Sequence, residues 1–242
     1  MPKKVVKYLR SIHWRPSRRD LLVFGLGALI MLAGLRVATG IHHAIDKPLA
    51  PESPEITITW LPTTVTRYRS TIQQMGKRYD IDPNLIAIIM SIESGGYAAA
   101  DSGVATGLMQ VTPGTGAKIA NQYLKDPVRY YDLKNPVTSI EFGTALLAHL
   151  RDEFGNSDQG PSWNSTVELV AAAYNGGDDA AASVRDGTGL HDPQTVVYSR
   201  DAFNLWRERH AKSSPTFDRW KERGGQDLID KAQAEASNGL LD

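Results

Sequence analysis

The sequence of 242 residues contains no cysteine. This absence excludes a disulfide framework, a thiolate zinc site, a cysteine nucleophile and a lipid-modified N-terminal cysteine. The 27 basic and 27 acidic residues cancel, so the formal net charge is zero. A zero net charge argues against a bulk nucleic-acid binder, which normally carries a basic excess. With 41% hydrophobic residues, the chain has the composition of a globular protein that buries a core.

Most motifs that carry well-known chemistry are missing as well. The sequence has no Gly-x-Gly-x-x-Gly, no Walker loop, no His-Glu-x-x-His and no Gly-x-Ser-x-Gly. The six histidines are scattered, and none pairs with another at the spacing of metal ligands. We interpret each as a packed or solvated residue and expect neither a metal nor a cofactor. No segment shows sustained alternation of apolar and polar residues, which predicts that strands are few.

The zero net charge hides an asymmetry at the N-terminus. Residues 1–20 hold seven Lys or Arg against one acid, while the remaining residues hold 20 basic and 26 acidic side chains. An apolar run follows from Leu21 to Ile41, interrupted by Arg36. As a helix it would span about 31 Å, close to the ~30 Å hydrocarbon core of a bilayer. Basic residues before such a span predict a cytoplasmic N-terminus and a translocated C-terminal part.

Two other interpretations of this run stay open. Ala38 and Gly40 are small residues spaced like a weak cleavage site, as in a removable signal peptide. The run could also form a buried core helix, although the basic arm at 1–20 argues against this. We expect a retained single-pass anchor in the inner membrane, with the rest of the chain in the periplasm.

The remaining chain divides into a linker, a helical domain and a tail. Four prolines between residues 42 and 63 predict an extended linker that leaves the membrane. Residues 64–212 show helical patterns separated by turn signals, which predicts one domain of ordinary size. Residues 213–242 are expected to form a charged tail that is either partly helical or without regular structure. Predicted helices cover 64–79, 83–94, 113–123, 136–154, 166–174 and 193–209.

One acidic residue stands out by its surroundings. Glu93 lies near the end of the otherwise apolar helix NLIAIIMSIES, which begins after Asp82-Pro83 and stops at Gly95-Gly96. Burial among Ile and Met side chains raises the pKa of a carboxyl group, and so does the negative end of a helix dipole. A carboxyl group still protonated near neutral pH can act as the general acid that cleaves a glycosidic bond. On helix position alone, a surface acid at the end of a helix is the more frequent case.

Three later fragments change that interpretation. The pair Glu93-Ser94 is followed by Gly107-Leu108-Met109-Gln110, then by Ala173-Tyr174-Asn175-Gly176-Gly177, and then by Thr195-x-x-Tyr198. In this order and spacing the fragments resemble the catalytic domain of the soluble lytic transglycosylase family, over about residues 68–209. The resemblance implies an all-α, goose-type-lysozyme-like fold, here a transglycosylase (SLT-type) domain preceded by one transmembrane helix. It also implies an enzyme that cleaves peptidoglycan.

The resemblance assigns roles to individual positions. Glu93 matches the family's catalytic glutamate. The substrate-binding positions that match are Ser94, Ser102, Gln110, Tyr174, Asn175 and Tyr198. Two features depart from the family pattern: the segment from Ser102 to Gly107 is one residue shorter, and Gly96 stands where relatives often have an aromatic residue. The shorter segment implies a rebuilt turn around Ser102.

The implied reaction is lytic transglycosylation of the bond between N-acetylmuramic acid and N-acetylglucosamine. In this family one glutamate serves first as acid and then as base for the muramyl 6-hydroxyl, so the product carries a 1,6-anhydro ring and no water is consumed. Most glycosidases instead use two carboxylates. Gln110, Tyr174 and Asn175 are expected to orient the sugar and its N-acetyl group. Tyr198 is expected to donate to Glu93 or to position it.

Two alternatives and one biological context remain. A lysozyme-like hydrolase would need a second acid near Glu93, and Asp101 is the nearest in sequence, although a solvated loop residue is the simpler interpretation of Asp101. An inactive wall-binding scaffold would be expected to lack the glutamate that is present here. A single-span enzyme of this kind suits local opening of the wall for a secretion, conjugation or pilus machine. The expected partners are therefore peptidoglycan glycan strands and the membrane, without nucleic acid.

Overall fold

The computed structural model describes residues 51–125, 131–154, 163–189 and 192–238. The chain divides into two units, Met1–Lys47 and Pro48–Asp242, and every described residue belongs to the second unit. The basic arm predicted at 1–20 and the transmembrane helix predicted at 21–41 lie outside the described residues. In the described part, none of the helices is both long enough and apolar enough to cross a membrane.

Helices joined by loops make up the described part of the chain. The strand-like pairing found there consists of isolated bridges that join Thr106 to Asp101 and to Val111. This confirms the all-α class predicted from the sequence. The helices are α1 (Thr63–Thr66), α2 (Arg69–Tyr79), α3 (Pro83–Ser94), α4 (Pro113–Gln122), α5 (Pro136–Phe154), α6 (Trp163–Gly176), α7 (Asp178–Arg185), α8 (Pro193–Glu208), α9 (Pro215–Trp220) and α10 (Gln226–Ser237), with a kinked turn at Lys221–Gly225 between the last two.

Three of the helices predicted from the sequence begin with the same local device, which Ser214-Pro215 repeats at the start of α9. α3, α4 and α8 each have proline in their first turn, and the residue before it is an N-cap whose side chain accepts a backbone N–H. The caps are Asp82, Thr112 and Asp192. A proline at this position loses no hydrogen bond, because the first N–H groups of a helix have no partner inside it. These starts therefore lie where the sequence predicted them.

Helix α3 forms the centre of the core. Its residues from Pro83 to Ser91 are buried, and it packs against α1, α2, α5 and α8. The loop after it is seated against α5 at Gly143, where an added Cβ would lie 2.5 Å from the Cβ of Met109. Because real Cβ atoms do not approach so closely, glycine at 143 is what lets this loop reach α5.

The compact unit is longer at both ends than the predicted domain 64–212. In the predicted linker, Ile56, Ile58 and Leu61 are buried, and the Asn84 side chain accepts the Thr57 N–H at 2.8 Å. In the predicted tail, the buried apolar residues are Phe217, Trp220, Ile229 and Ala232. Helix α7 was not predicted at all. Apolar residues of the segments predicted as linker and tail therefore pack into the core of the domain.

Candidate active site

Glu93 lies in the last turn of α3, the helix that runs through the core. Its neighbours on the helix are apolar and buried up to Met90, and the helix ends at Gly95 in the left-handed conformation. Glu93 itself is half-buried. The helix thus carries a carboxyl group from the interior to the edge of the domain, where a ligand can reach it.

Tyr198 is the direct partner of this carboxyl group. Its hydroxyl donates to Glu93 Oε1 at 2.7 Å, and the tyrosine is 7% exposed. It lies in α8, which packs against α3 and also closely against α6. Residues 105 positions apart in the chain therefore meet in one hydrogen bond. Tyr198 was predicted to contact Glu93 only through the family resemblance.

Burial controls the protonation of this pair. Desolvation raises the pKa of Glu93 to about 7, and the hydrogen bond from Tyr198 opposes part of that rise. Burial, followed by the nearby charge of Glu93, holds the pKa values of Tyr174 and Tyr198 well above their usual value. At neutral pH the site therefore contains a carboxyl group poised between its two forms and two phenols that remain hydrogen-bond donors.

Tyr174 holds the loop that faces Glu93. Its hydroxyl donates to the Met109 carbonyl at 2.8 Å, and the Met109 N–H donates to Ser139 Oγ at 3.1 Å. Gln110 comes next, with a φ of 45°, which is unusual for a residue other than glycine. Its Nε2 donates to the carbonyls of Gly107 and Ala100 at 2.9 and 3.2 Å. The Gln110 amide nitrogen thus braces the loop, and the half-buried residue stands beside Met109.

Asn175 follows Tyr174 in the last turn of α6 and lines a polar cavity there. Its Oδ1 lies 2.9 Å from Thr195 Oγ1, which is also 2.8 Å from Asp192 Oδ2. Because a hydroxyl carries one proton, Thr195 donates to one of these oxygens at a time. The cavity holds about 390 Å³ and is lined also by Asp179 and Ser183. The amide of Asn175 is half-buried, and it lies on the same helix as Tyr174.

The two predicted serines make hydrogen bonds to the loop after α3. Ser94 is fully buried, and its hydroxyl donates to the Leu108 carbonyl at 2.8 Å, so it fastens the loop to α3 and has no surface for a sugar. Ser102 is exposed, but its Oγ accepts the Ala105 N–H at 3.0 Å and closes its own tight turn. The structure thus gives no support to a substrate contact at Ser94 and brings Ser102 into no hydrogen bond with Glu93 or Tyr198.

Asp101, the candidate second acid, lies at the surface. It forms an ion pair with Lys134 at 2.9 Å and accepts the Gly103 N–H at 2.9 Å. The hydrogen bonds from Lys134 and Gly103 lower the pKa of Asp101. A residue in this position is an ionised surface acid, as the simpler interpretation of the sequence had it. Its partners are Lys134 and Gly103, and it makes no hydrogen bond to Glu93.

Sequence reasoning missed Ser139 and Lys134. Ser139 is buried in the first turn of α5 and accepts the Met109 N–H, so it positions the loop beside Gln110. No local sequence signal indicates this role of Ser139, because a serine near the start of a helix is common.

Among the described residues, no cluster of three or more His, Cys, Asp or Glu side chains is arranged to hold a metal ion.

Comparisons with known proteins identify the family that this domain resembles. The model of the family described as transglycosylase SLT domain matches residues 70–195. Membrane-bound lytic murein transglycosylase C of Glaesserella parasuis is 38% identical over 129 residues, which cover 51% of this chain and 34% of that protein. Endo-type membrane-bound lytic murein transglycosylase A of Klebsiella pneumoniae is 30% identical over 128 residues, which cover 51% of this chain and 59% of that protein.

Solved structures of similar fold include a lytic transglycosylase. The X-ray structure of an inactive mutant of the lytic transglycosylase Slt from Pseudomonas aeruginosa matches 62% of this chain and 25% of its own, with a TM-score of 0.48 and 22% identity. The alignments with the two curated relatives above span about a third and about three fifths of those proteins. The family match contains Glu93, Gln110 and Tyr174 and covers more than half of the sequence. The chain therefore belongs to the transglycosylase SLT domain family.

Proposed function

We propose that this protein is a peptidoglycan lytic transglycosylase that cleaves the β-1,4 bond between N-acetylmuramic acid and N-acetylglucosamine. The observation that carries the proposal is the half-buried Glu93, whose pKa is raised to about 7 and whose Oε1 accepts a hydrogen bond from Tyr198. The relatives named above are called lytic murein transglycosylases, which supports the same activity. We expect no metal and no cofactor to take part.

In the proposed reaction Glu93 acts twice. As an acid it donates its proton to the glycosidic oxygen, so the leaving sugar departs with a hydroxyl group while the N-acetyl group supports the positive charge at the anomeric carbon. As a carboxylate it then takes the proton of the muramyl 6-hydroxyl, and that oxygen closes onto the anomeric carbon. The proton balance is complete without water. A second carboxylate is therefore not needed to activate a water molecule, in contrast to the usual pair.

The neighbouring polar groups have supporting roles in the proposed reaction. Tyr198 holds one oxygen of Glu93, leaving the other free to face the sugar. We propose that Gln110 contacts the sugar through its amide oxygen and Asn175 through its amide nitrogen, because the other amide atom of each is already hydrogen-bonded. Tyr174 acts indirectly, because its hydroxyl is used to hold the Met109 carbonyl. Asp101 is the candidate second acid nearest to Glu93 in sequence. It is paired with Lys134 and makes no hydrogen bond to Glu93 or Tyr198, which favours the single-acid reaction over the hydrolase alternative.

The pH dependence of wall lysis tests Glu93 as the proton donor. The rate should fall as pH rises through the pKa of Glu93, about 7, because only the protonated form can donate. Tyr198→Phe removes the hydrogen bond that lowers this pKa, so the alkaline limb should move to higher pH while the maximal rate falls. The measurement is the clearing of purified sacculi between about pH 5 and pH 9.

Tyr131→Phe is the matched control, since it removes a hydroxyl that contacts the Pro113 carbonyl at 3.5 Å and should leave the profile unchanged. An alkaline limb that stays in place in Tyr198→Phe would show that another group titrates.

We further propose that the chain is a single-pass inner-membrane protein with its catalytic domain in the periplasm. The support is the apolar run Leu21–Ile41 after a basic arm, together with the names of the relatives, which call them membrane-bound. Cell fractionation with sequencing of the mature N-terminus distinguishes this from a cleaved signal, which would give a soluble product starting near Ile41. Opening of the wall for a secretion, conjugation or pilus machine is the proposed biological setting.

A further inference from the structure

The end of α3 is covered by chain segments that lie outside the family match at 70–195. Gly95 and Gly96 follow Glu93-Ser94 with φ values of 60° and 86°. A Cβ on Gly96 would lie 2.3 Å from the Thr64 carbonyl oxygen, and one on Gly95 would lie 3.2 Å from atoms of Leu228 and Ile229. The turn after the catalytic helix is therefore in close contact with α1 on one side and α10 on the other.

A buried carboxylate of α10 holds the loop after this turn. Glu235 is 6% exposed, and its two oxygens accept the N–H groups of Ala98 at 3.0 Å and Ala99 at 2.9 Å. Its charge is compensated by Arg67, whose Nη2 lies 3.5 Å away. A carboxylate that accepts two backbone N–H groups inside a protein makes charge-assisted hydrogen bonds, which are stronger than neutral ones. Glu235 thus fixes the loop backbone five and six residues after Glu93.

Arg67 completes the attachment. Its Nη2 donates to the Gly96 carbonyl at 2.8 Å, and its Nη1 donates to the Ala232 carbonyl in α10 at 3.2 Å. Thr64 adds a hydrogen bond of 2.6 Å to the Gly95 carbonyl. The last carbonyl groups of a helix lack partners within it, so these bonds satisfy groups that would otherwise have to bind water. Side chains from both flanking segments therefore hold the end of the helix that carries Glu93.

The same C-terminal segment, residues 213–238, also holds α8, the helix of Tyr198. Arg223 forms an ion pair with the buried Asp201, which follows Tyr198 by three residues and so lies on a neighbouring part of the same helix face. At the end of α8, Glu208 accepts the Thr216 hydroxyl at 2.8 Å. Residues 213–238 thus hold both α8 and the end of α3, the two helices whose side chains form the hydrogen bond between Tyr198 and Glu93.

We propose that Glu235 is a positioning residue, which sets the hydrogen bond between Glu93 and Tyr198 by fixing the loop after α3. The proposal rests on the proposed function of Glu93. Glu235 touches neither the carboxyl group of Glu93 nor the hydroxyl of Tyr198, so it acts only through the backbone of residues 95–99. Helix ends fray when nothing outside the helix holds them, and displacement of a catalytic group by about 1 Å can cost about 100-fold in rate.

The test is a double-mutant cycle in the full-length chain, purified in detergent and assayed on sacculi. The variants are Glu235→Gln, Tyr198→Phe and the combination of both. Gln keeps the size of the side chain but replaces one acceptor oxygen by an amide that cannot accept an N–H. The matched control is Glu222→Gln, which removes the same charge from an exposed residue of the same segment. Circular dichroism establishes that each variant is folded at the assay temperature.

We expect Glu235→Gln to lower the rate about tenfold, and to lower it less than about threefold further when Tyr198 is already Phe. Glu222→Gln should match the wild type. A merely structural Glu235 would give effects that multiply in the double variant, and this would overturn the proposal, as would a wild-type rate in Glu235→Gln. Glu235→Asp keeps the charge on a shorter side chain and gives the same test, with a smaller loss, if Glu235→Gln does not fold.

Failure of this proposal can be told apart from failure of the proposed function. If Glu235 has no positioning part, Glu93→Gln still abolishes lysis while the cycle shows no coupling. If the proposed function is wrong, Glu93→Gln retains activity, and the double-mutant cycle does not measure a reaction that depends on Glu93.

Discussion

Glu93→Gln should reduce the lysis of purified sacculi by about 100-fold or more, the scale of losing a general acid and base. The amide has the shape of the carboxyl group, and its oxygen can still accept the hydrogen bond that Tyr198 donates at 2.7 Å. It has no proton to give to the glycosidic oxygen and cannot take one from the muramyl 6-hydroxyl. The initial rate of clearing, measured near pH 6 where the pKa of about 7 leaves the wild type protonated, quantifies the loss.

The fold of this variant should be intact. Burial raises the pKa of Glu93 from 4.5 to about 7, so the wild type loses stability as pH rises from the unfolded to the folded pKa. The whole penalty is present above about pH 7, and the neutral amide escapes it. Glu93→Gln should therefore unfold at the same temperature as the wild type or a higher one at about pH 8. Asp101→Asn is the matched control, because this exposed acid should be replaceable with less than a few-fold change in rate. Substantial lysis by a folded Glu93→Gln protein would refute the assignment of Glu93.

Gly107→Ala should cause the largest loss of stability. Gly107 has a φ of 81°, and an added Cβ would lie 1.9 Å from the Leu133 carbonyl oxygen and 2.7 Å from Ser139 Oγ. The backbone carbonyl cannot rotate away as a flexible side chain would, so the loop that carries Gln110 has to move. We expect a decrease of at least about 3 kcal/mol in the free energy of unfolding, combining backbone strain and collision.

Gly103 provides a matched control for this substitution. Its φ of 80° is nearly the same, but a Cβ there meets no heavy atom within 4 Å. Gly103→Ala should therefore cost only the strain of the left-handed conformation, about 1–2 kcal/mol. Urea unfolding of the two variants and the wild type measures the difference. Equal losses in both variants would mean that the contact with Leu133 does not constrain the loop.

Local signals predicted the start of the helices that position the site. Asp82-Pro83, Thr112-Pro113 and Asp192-Pro193 each place an N-cap and a proline side by side, and this chemistry acts within one helical turn. The glycine pair at 95–96 predicted the end of α3 for the same reason. Burial of this helix followed from its apolar sequence, so the unusual setting of Glu93 could be inferred before any contact was known.

Contacts between distant residues could not be inferred in this way. Prolines made residues 51–62 resemble a free linker, yet Ile56 and Ile58 alternate with threonines, a short pattern that is typical of a half-buried extended segment. The charged composition of the C-terminal segment concealed Glu235, whose role depends on N–H groups 136 and 137 positions earlier in the chain. Glycines at 176 and 177 hid α7, because they end one helix directly before the next.

The residues of the site show the same division between what the sequence predicts and what only the structure shows. The spacing and the family resemblance grouped Glu93, Tyr174, Asn175 and Tyr198. In the structure the Tyr198 hydroxyl donates to Glu93, and the Tyr174 hydroxyl donates to the Met109 carbonyl in the loop before Gln110. Ser94 matched the pattern equally well but is buried, because its hydroxyl fastens the Leu108 carbonyl. A residue of a motif can serve structure or chemistry, and the direction of its side chain separates the two.

Mass spectrometry of the muropeptides released from sacculi tests the proposed reaction most directly. We predict products that end in 1,6-anhydro-N-acetylmuramic acid, lighter than the hydrolysis products by the mass of one water molecule and unchanged by borohydride. Asp101→Asn should release the same products, and Glu93→Gln should release almost none. Products with reducing ends, formed by the wild type and lost in Asp101→Asn, would instead show a hydrolase that uses two acids and would contradict the single-glutamate mechanism.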